Sequence, residues 1–368
     1  MVELYSTAVI AAAIVIAGII AIRSRISSSI IEVAMGIILT NVLLVKIESW
    51  LEFLATFGGL TLTFLAGSEV ESALLKKKAK ESGVIGTLAF LVPLVAELAF
   101  LSLITDWAWQ TKLAMSLALT TTSIAVVYAV LTEFEIMRTD LGRTIIAVTF
   151  VNDILVIVGI SFIQPSFNLL TPIFLTTLLA LVFIIPKLVN NIILKYGKRA
   201  IEMELRFMFA AIFVMSFFSE EAMMHAVFGA FTMGLIFANT IQKHPEVMGK
   251  MRTVTFSVLS PVFFVRAGML ISVGSVVQGV ALISGLLAVK LLSKFGGCYL
   301  ACRKWIPEAP AFSTLLFSTG LTIGTITATI GRDLGFLNQE QFSVTLIAVV
   351  LSAVVPTLIA KGFVPRKV

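Results

Sequence analysis

Charge is what this sequence has least of. Asp, Glu, Lys and Arg make up 13% of its 368 residues, whereas 58% are hydrophobic. A soluble globular domain carries roughly twice that charged fraction, so a soluble fold is excluded. The chain also has no glycine-rich nucleotide loop, no cluster of metal-ligating side chains and no nucleophile–base pair, and an enzyme finds no support in it. Cysteine is limited to Cys298 and Cys302, one helical turn apart in an apolar segment, where thiols act as membrane-core or packing residues. No cleavable leader is expected at the start: "MVELYST" lacks a basic region and "IRSRISSS" lacks a small-residue cleavage site.

What the sequence does have is apolar blocks about 20 residues long, enough to cross a bilayer core of about 30 Å as helix. The mean hydropathy is +1.04. The expected fold is an all-α polytopic membrane protein. Thirteen blocks read as spans, at about 5–22, 28–45, 51–68, 84–104, 112–131, 143–163, 168–186, 204–218, 223–240, 254–272, 275–301, 309–330 and 341–361. The break at "SFFSEEAMMH" is the weakest, since two short segments meet there. With thirteen spans, 21 of the 27 cations fall on one side of the membrane and three (Lys46, Lys112, Arg332) on the other. Positive loops stay inside, which puts the N-terminus outside and the C-terminus in the cytoplasm. The net charge of +6 is then a matter of topology and implies no nucleic-acid partner. The chain stops at "KGFVPRKV", so no soluble regulatory domain is expected.

Polar residues inside the apolar blocks carry the functional information. "VTFVNDILVIVG" sets Asn152 and Asp153 in an otherwise unbroken apolar run. Asp153 lies ten residues after Arg143, about 15 Å along a helix and near mid-membrane. Lys290 falls near the middle of the eleventh span. Ionisable groups at such depth mark ion or proton pathways, with a structural salt bridge as the bland alternative. At the same depth the fifth span carries Thr120 to Ser123, and the twelfth interleaves Gly320 and Gly324 with Ser318, Thr319, Thr322 and Thr325. Hydroxyl and glycine clusters loosen a helix; either cluster alone also fits close packing by small residues. Two such spans in opposite orientations, each beside a charged helix, match the interrupted helices of inverted-repeat transporters.

Several stretches resemble the second monovalent cation:proton antiporter family, the NapA- and Kef-like proteins. They are "TTTSIAVVYAVLTEFEIMRTDLGRTIIAVTFVNDILVIV", "FLAGSEVE", "HAVFGAFTMGLIFAN", "SPVFFVRAGM" and "GLLAVKLLSK". The likeness to the NapA-type Na⁺/H⁺ antiporters implies a homodimer with a dimerisation part and a mobile core, the core helices at about 84–163 and 254–330. It places Asp153 on the ion-binding carboxylate and Asn152 on a position that is aspartate in electrogenic members. Lys290 falls on the mid-membrane lysine, Thr122 and Ser123 on the unwound crossing. Thr149, one turn before Asp153, would share its face and supply an oxygen. "GIILTN" departs from the family's Gly-Pro ending of the second span, and "STGLTIGTI" lacks the acid of Kef-like members.

The resulting expectation is an antiporter of the cell membrane that exchanges Na⁺ or Li⁺ for H⁺, with one cation replacing one proton on Asp153 and no resident cofactor. K⁺/H⁺ exchange uses the same residues and is the nearest rival. A sodium-coupled organic-anion symporter or a channel-like pore is the rival from another class; a symporter would need anion-binding groups among the mid-membrane residues. Four further polar sites were weighed. Arg266 reads as a structural pair, Glu97 as part of a wall or funnel, Glu220 and Glu221 as solvated loop charge, and His225 as a lone histidine.

Overall fold

The computed structural model describes residues 2–161 except 25 and 71, scattered positions between 163 and 188, and 202–365 except 223, 224 and 242. Every regular element among them is helical. About half of the expected span at 168–186 lies outside the described residues. Among the described residues, eight helical segments are long and apolar enough to cross a membrane: Leu4–Ser24, Ser49–Ser68, Ala79–Ile104, Trp109–Glu133, Asp140–Ser161, Val280–Trp305, Pro310–Asp333 and Gln339–Phe363. Ser28–Asn41 and Ala226–Ile241 are shorter apolar helices. The weak break at "SFFSEEAMMH" is a break: one helix ends at Glu221 and the next begins at Ala226.

Two compact units are present. One comprises Met1–Ser49, Leu74–Val156 and Phe264–Val368, the other Trp50–Ala73 and Ile157–Phe263.

In the second unit, Phe57 packs edge-on against Phe209, with centroids 5.2 Å apart, and at 4.8 Å from Phe213. Charges collect at its helix ends. Lys250 donates to Glu202 and Glu204 at 2.5 and 2.8 Å, and these two carboxylates hold its ammonium above the ordinary lysine range. Arg252 pairs with Glu69 at 2.5 Å.

In the first unit, the helix Ser28–Asn41 and the stretch 264–269 approach backbone to backbone. A Cβ on Gly36 would meet the Val265 carbonyl oxygen, with the Met269 nitrogen at 2.8 Å and Gly268 Cα at 2.9 Å. A Cβ on Gly268 would strike Val33 in return. In hydrocarbon, where lipid tails are as apolar as side chains, such close approach is what holds helices together. Arg266, on the same segment, reaches Asp333 at 3.4 Å, the structural pairing expected of it.

Both loosened spans are broken where their polar clusters lie. Trp109–Thr120 stops, residues 121–123 are not helical, and Ile124–Glu133 resumes the path. Pro310–Phe317 and Thr322–Asp333 flank a second gap.

Gly36→Leu is expected to lower the thermal midpoint of the purified protein sharply, because overpacking costs about 1–3 kcal/mol or more. Gly18→Leu, at a position with nothing within 4 Å of the added Cβ, is expected to leave it unchanged. Equal midpoints for the two variants in a detergent melting assay would contradict this packing.

Candidate functional site

A broken helix strands backbone groups. The half ending at Thr120 leaves carbonyls without intrahelical donors, and the half starting at Ile124 leaves N–H groups without acceptors. Inside a membrane protein these groups need protein partners or water. All the partners seen here belong to the first compact unit.

Asn152, fully buried on the Asp140–Ser161 helix, serves both ends of the first break. Its Oδ1 accepts the Thr122 N–H at 2.9 Å, and its Nδ2 donates toward the Thr120 carbonyl at 3.4 Å. One amide thus stands in for a missing turn of backbone hydrogen bonds. A carboxylate at this position would present a second acceptor to the Thr120 carbonyl.

Lys294, also fully buried, completes the cradle from the Val280–Trp305 helix. Its Nζ donates to the Thr120 carbonyl at 2.9 Å and to Thr122 Oγ1 at 3.3 Å. An ammonium at the end of a half-helix meets the negative pole of its dipole. Lys294 also interacts electrostatically with Asp153, which is 2% exposed. The second break is joined to the first, since Thr122 Oγ1 donates to the Phe317 carbonyl at 2.9 Å and the Ser123 N–H reaches Thr319 Oγ1 at 3.4 Å.

Lys290 sits one turn from Lys294 and attends to the other crossing. Its Nζ donates to Ser352 Oγ at 2.9 Å, and that hydroxyl lies 3.2 Å from the Gly320 carbonyl. Gly320 is bare for a reason: a Cβ there would stand 2.5 Å from Lys290 Nζ and 2.7 Å from Thr121 Oγ1.

The structure therefore brings Asn152, Thr122 and Ser123 together at one break, with Asp153 the chain neighbour of Asn152, and it sorts their duties. The Thr122 hydroxyl is engaged with Phe317 and Lys294. Ser123 caps the second half-helix, accepting the Val126 N–H at 3.5 Å. Thr149 Oγ1 donates to its own helix at the Ile145 carbonyl, 3.0 Å away. Lys294 interacts electrostatically with Asp153, whereas Lys290, the one singled out from sequence, donates to Ser352. The spacing "VKLLSK" was the available signal, because residues four apart share a helix face.

Known proteins resemble this chain along most of its length. Residues 9–364 match the family described as "Sodium/hydrogen exchanger, transmembrane". The probable Na⁺/H⁺ antiporter 3 of Methanocaldococcus jannaschii is 25% identical over 347 residues, covering 88% of this chain and 86% of that protein. An Na⁺/H⁺ antiporter of Enterococcus hirae is 26% identical over 328 residues, covering 84% of each. The solved structure of the sodium proton antiporter MjNhaP1 from M. jannaschii at pH 8 superimposes with a TM-score of 0.72. It covers 98% of this chain and 97% of that one at 15% identity, a likeness of fold.

Asn152→Ala removes both bridging bonds and strands the buried Thr122 N–H. A stability loss of about 1–3 kcal/mol is expected for a buried group left unsatisfied, read as a lower unfolding midpoint in detergent. An unchanged midpoint would contradict the bridging role.

Proposed function

This chain belongs to the sodium/hydrogen exchanger family, and we propose that it is a secondary antiporter exchanging Na⁺, and Li⁺ with it, for H⁺ across the cell membrane. The observation that carries the reading is a buried carboxylate, Asp153, set beside a broken helix and a buried lysine. The names of the relatives agree with it.

Desolvation disfavours an ionised carboxylate, and a nearby cation favours it. A proton or a bound Na⁺ neutralises Asp153 equally well, and one site holds one of them at a time. Loading with one on each crossing and with the other on the return gives exchange. Exchange requires that the vacant form stay put, so that every crossing is made with a proton or a cation on Asp153. Oxygen ligands for the dehydrated cation come from Asp153, the Asn152 amide, the hydroxyls of Thr122, Ser123 and Thr149, and backbone carbonyls freed at the break. Asn152 adds no titrating group. One cation for one proton follows, and the exchange is electroneutral.

The wider arrangement belongs to the same proposal. The chain crosses the membrane thirteen times with its N-terminus outside and its C-terminus in the cytoplasm, which the one-sided distribution of Lys and Arg supports. It works as a homodimer in which a core carries Asp153 past a fixed dimerisation part, in an elevator-like movement. The compact unit that holds Asp153 includes most of the expected core ranges, 84–163 and 254–330.

Proteoliposomes with a proton-sensing dye test this directly. Na⁺ and Li⁺ are expected to drive proton flux more effectively than K⁺, and Asp153→Asn to abolish it. Acidification should raise the apparent KM for Na⁺ by up to about tenfold per pH unit, the limit for one proton competing with one cation. Imposed voltage should leave the rate unchanged. Exchange retained by Asp153→Asn would overturn the mechanism, voltage-dependent flux the stoichiometry, and K⁺-driven flux exceeding Na⁺ the assigned ion.

A further inference from the structure

The exchange site contains one lysine more than its chemistry calls for. Lys290 and Lys294 are both fully buried on one face of Val280–Trp305. Burying an ion costs several kcal/mol unless an opposite charge or good hydrogen bonds offset it. Asp153 interacts with Lys294. Lys290 has the Ser352 hydroxyl, which is a neutral partner.

The missing acid is found by helix register. Val280–Trp305 packs more extensively on Ala79–Ile104 than on any other helix, and two glycines mark how the pair is aligned. A Cβ on Gly285 would lie 2.6 Å from the Phe100 ring, and one on Gly297 would lie 2.8 Å from Val92 Cβ. Numbers rising along one helix and falling along the other make the pair antiparallel, and the position opposite Lys290 is then Glu97. Glu97 is fully buried, and the two side chains interact electrostatically. Among the described residues neither carboxylate oxygen of Glu97 receives a hydrogen bond, and Lys290 stands opposite it across the helix contact.

We propose that Glu97 is the counter-charge of the exchange site: it neutralises Lys290 across the helix pair, leaving Lys294 as the one uncompensated cation that Asp153 and the transported ion experience. Glu97 is a positioning residue, acting on the ion through Lys290. The inference rests on the exchange reading above and deepens it. The groups facing this cluster are few. Lys290, Lys294 and Cys298 turn inward from one helix and Asp153 from another. Trp109–Thr120 and Gln339–Ala360 add the hydroxyls of Thr120 and Ser352; their ionisable residues are Lys112 and Glu340, close to the helix starts.

The signs of three variants follow. Glu97→Gln leaves the Lys290 charge uncompensated, and Asp153 then holds both proton and cation more weakly. Its pH–activity profile should move about one unit toward acid, the size of effect a unit charge exerts across about 10 Å at an effective dielectric near 20. Its KM for Na⁺ should rise about tenfold at alkaline pH. Lys290→Met leaves Glu97 uncompensated and should move the profile toward alkaline pH. The double variant should return close to the wild-type profile, which a purely structural defect would not do. The assay is cation-driven proton flux in proteoliposomes, with folding checked by size-exclusion chromatography. If Glu97→Gln fails to fold, Lys290→Met and the double variant still decide the matter. Unshifted profiles, shifts of the same sign, or a double variant no closer to wild type than the singles would overturn the inference while leaving the exchange reading intact. Wild-type protein without cation-dependent flux would overturn both.

Discussion

Two helices that stop midway impose the main constraint on this protein. Each break leaves carbonyl and N–H groups that cost several kcal/mol apiece if buried without partners. The partners supplied are few and specific: the Asn152 amide, the Lys294 ammonium, and the Ser352 hydroxyl that Lys290 approaches. Asn152 directly precedes Asp153 in the chain, and Lys294 interacts with that carboxylate electrostatically. Holding the break open and framing the carboxylate are therefore one task performed by one set of side chains. A substitution that disturbs either disturbs both.

The same economy explains why the amide at position 152 is compatible with a simple stoichiometry. Asn152 offers one acceptor and one donor to a backbone gap that needs both. It does so in every protonation state of its neighbours. A site braced by a group that does not titrate can empty and refill at Asp153 without loosening its own scaffold. Lys294 supplies a positive charge, and its bond to the Thr120 carbonyl ties that charge to the break.

The sequence was most readable where polarity broke a strong pattern. Asp153 and Asn152 stand out because Thr149 is the only other polar residue in their apolar run. The clusters at 120–123 and 318–325 stand out because hydroxyls and glycines are poor material for mid-membrane helix. Lys294 and Glu97 were hidden for a different reason. Lys290 and Lys294 share a face, and which of them reaches Asp153 depends on how helices tilt and slide, which periodicity does not contain. Glu97 sits in an apolar helix with no partner in its own element; it acquires one only through the register that Gly285 and Gly297 permit. The hydroxyls of Thr122 and Ser123 were legible as functional, yet they are committed to protein groups at the break, a duty visible only once both crossings are in place.

Competition of one cation with one proton for a single buried carboxylate is the centre of the account. The most direct measure is the number of protons released when Na⁺ binds to the purified protein. Calorimetry in buffers of differing ionisation enthalpy gives that number without any transport step. At a pH where Asp153 is protonated, the account predicts a release approaching one proton per Na⁺ bound, and no such release from Asp153→Asn. A wild-type release near zero, or near two, would contradict it.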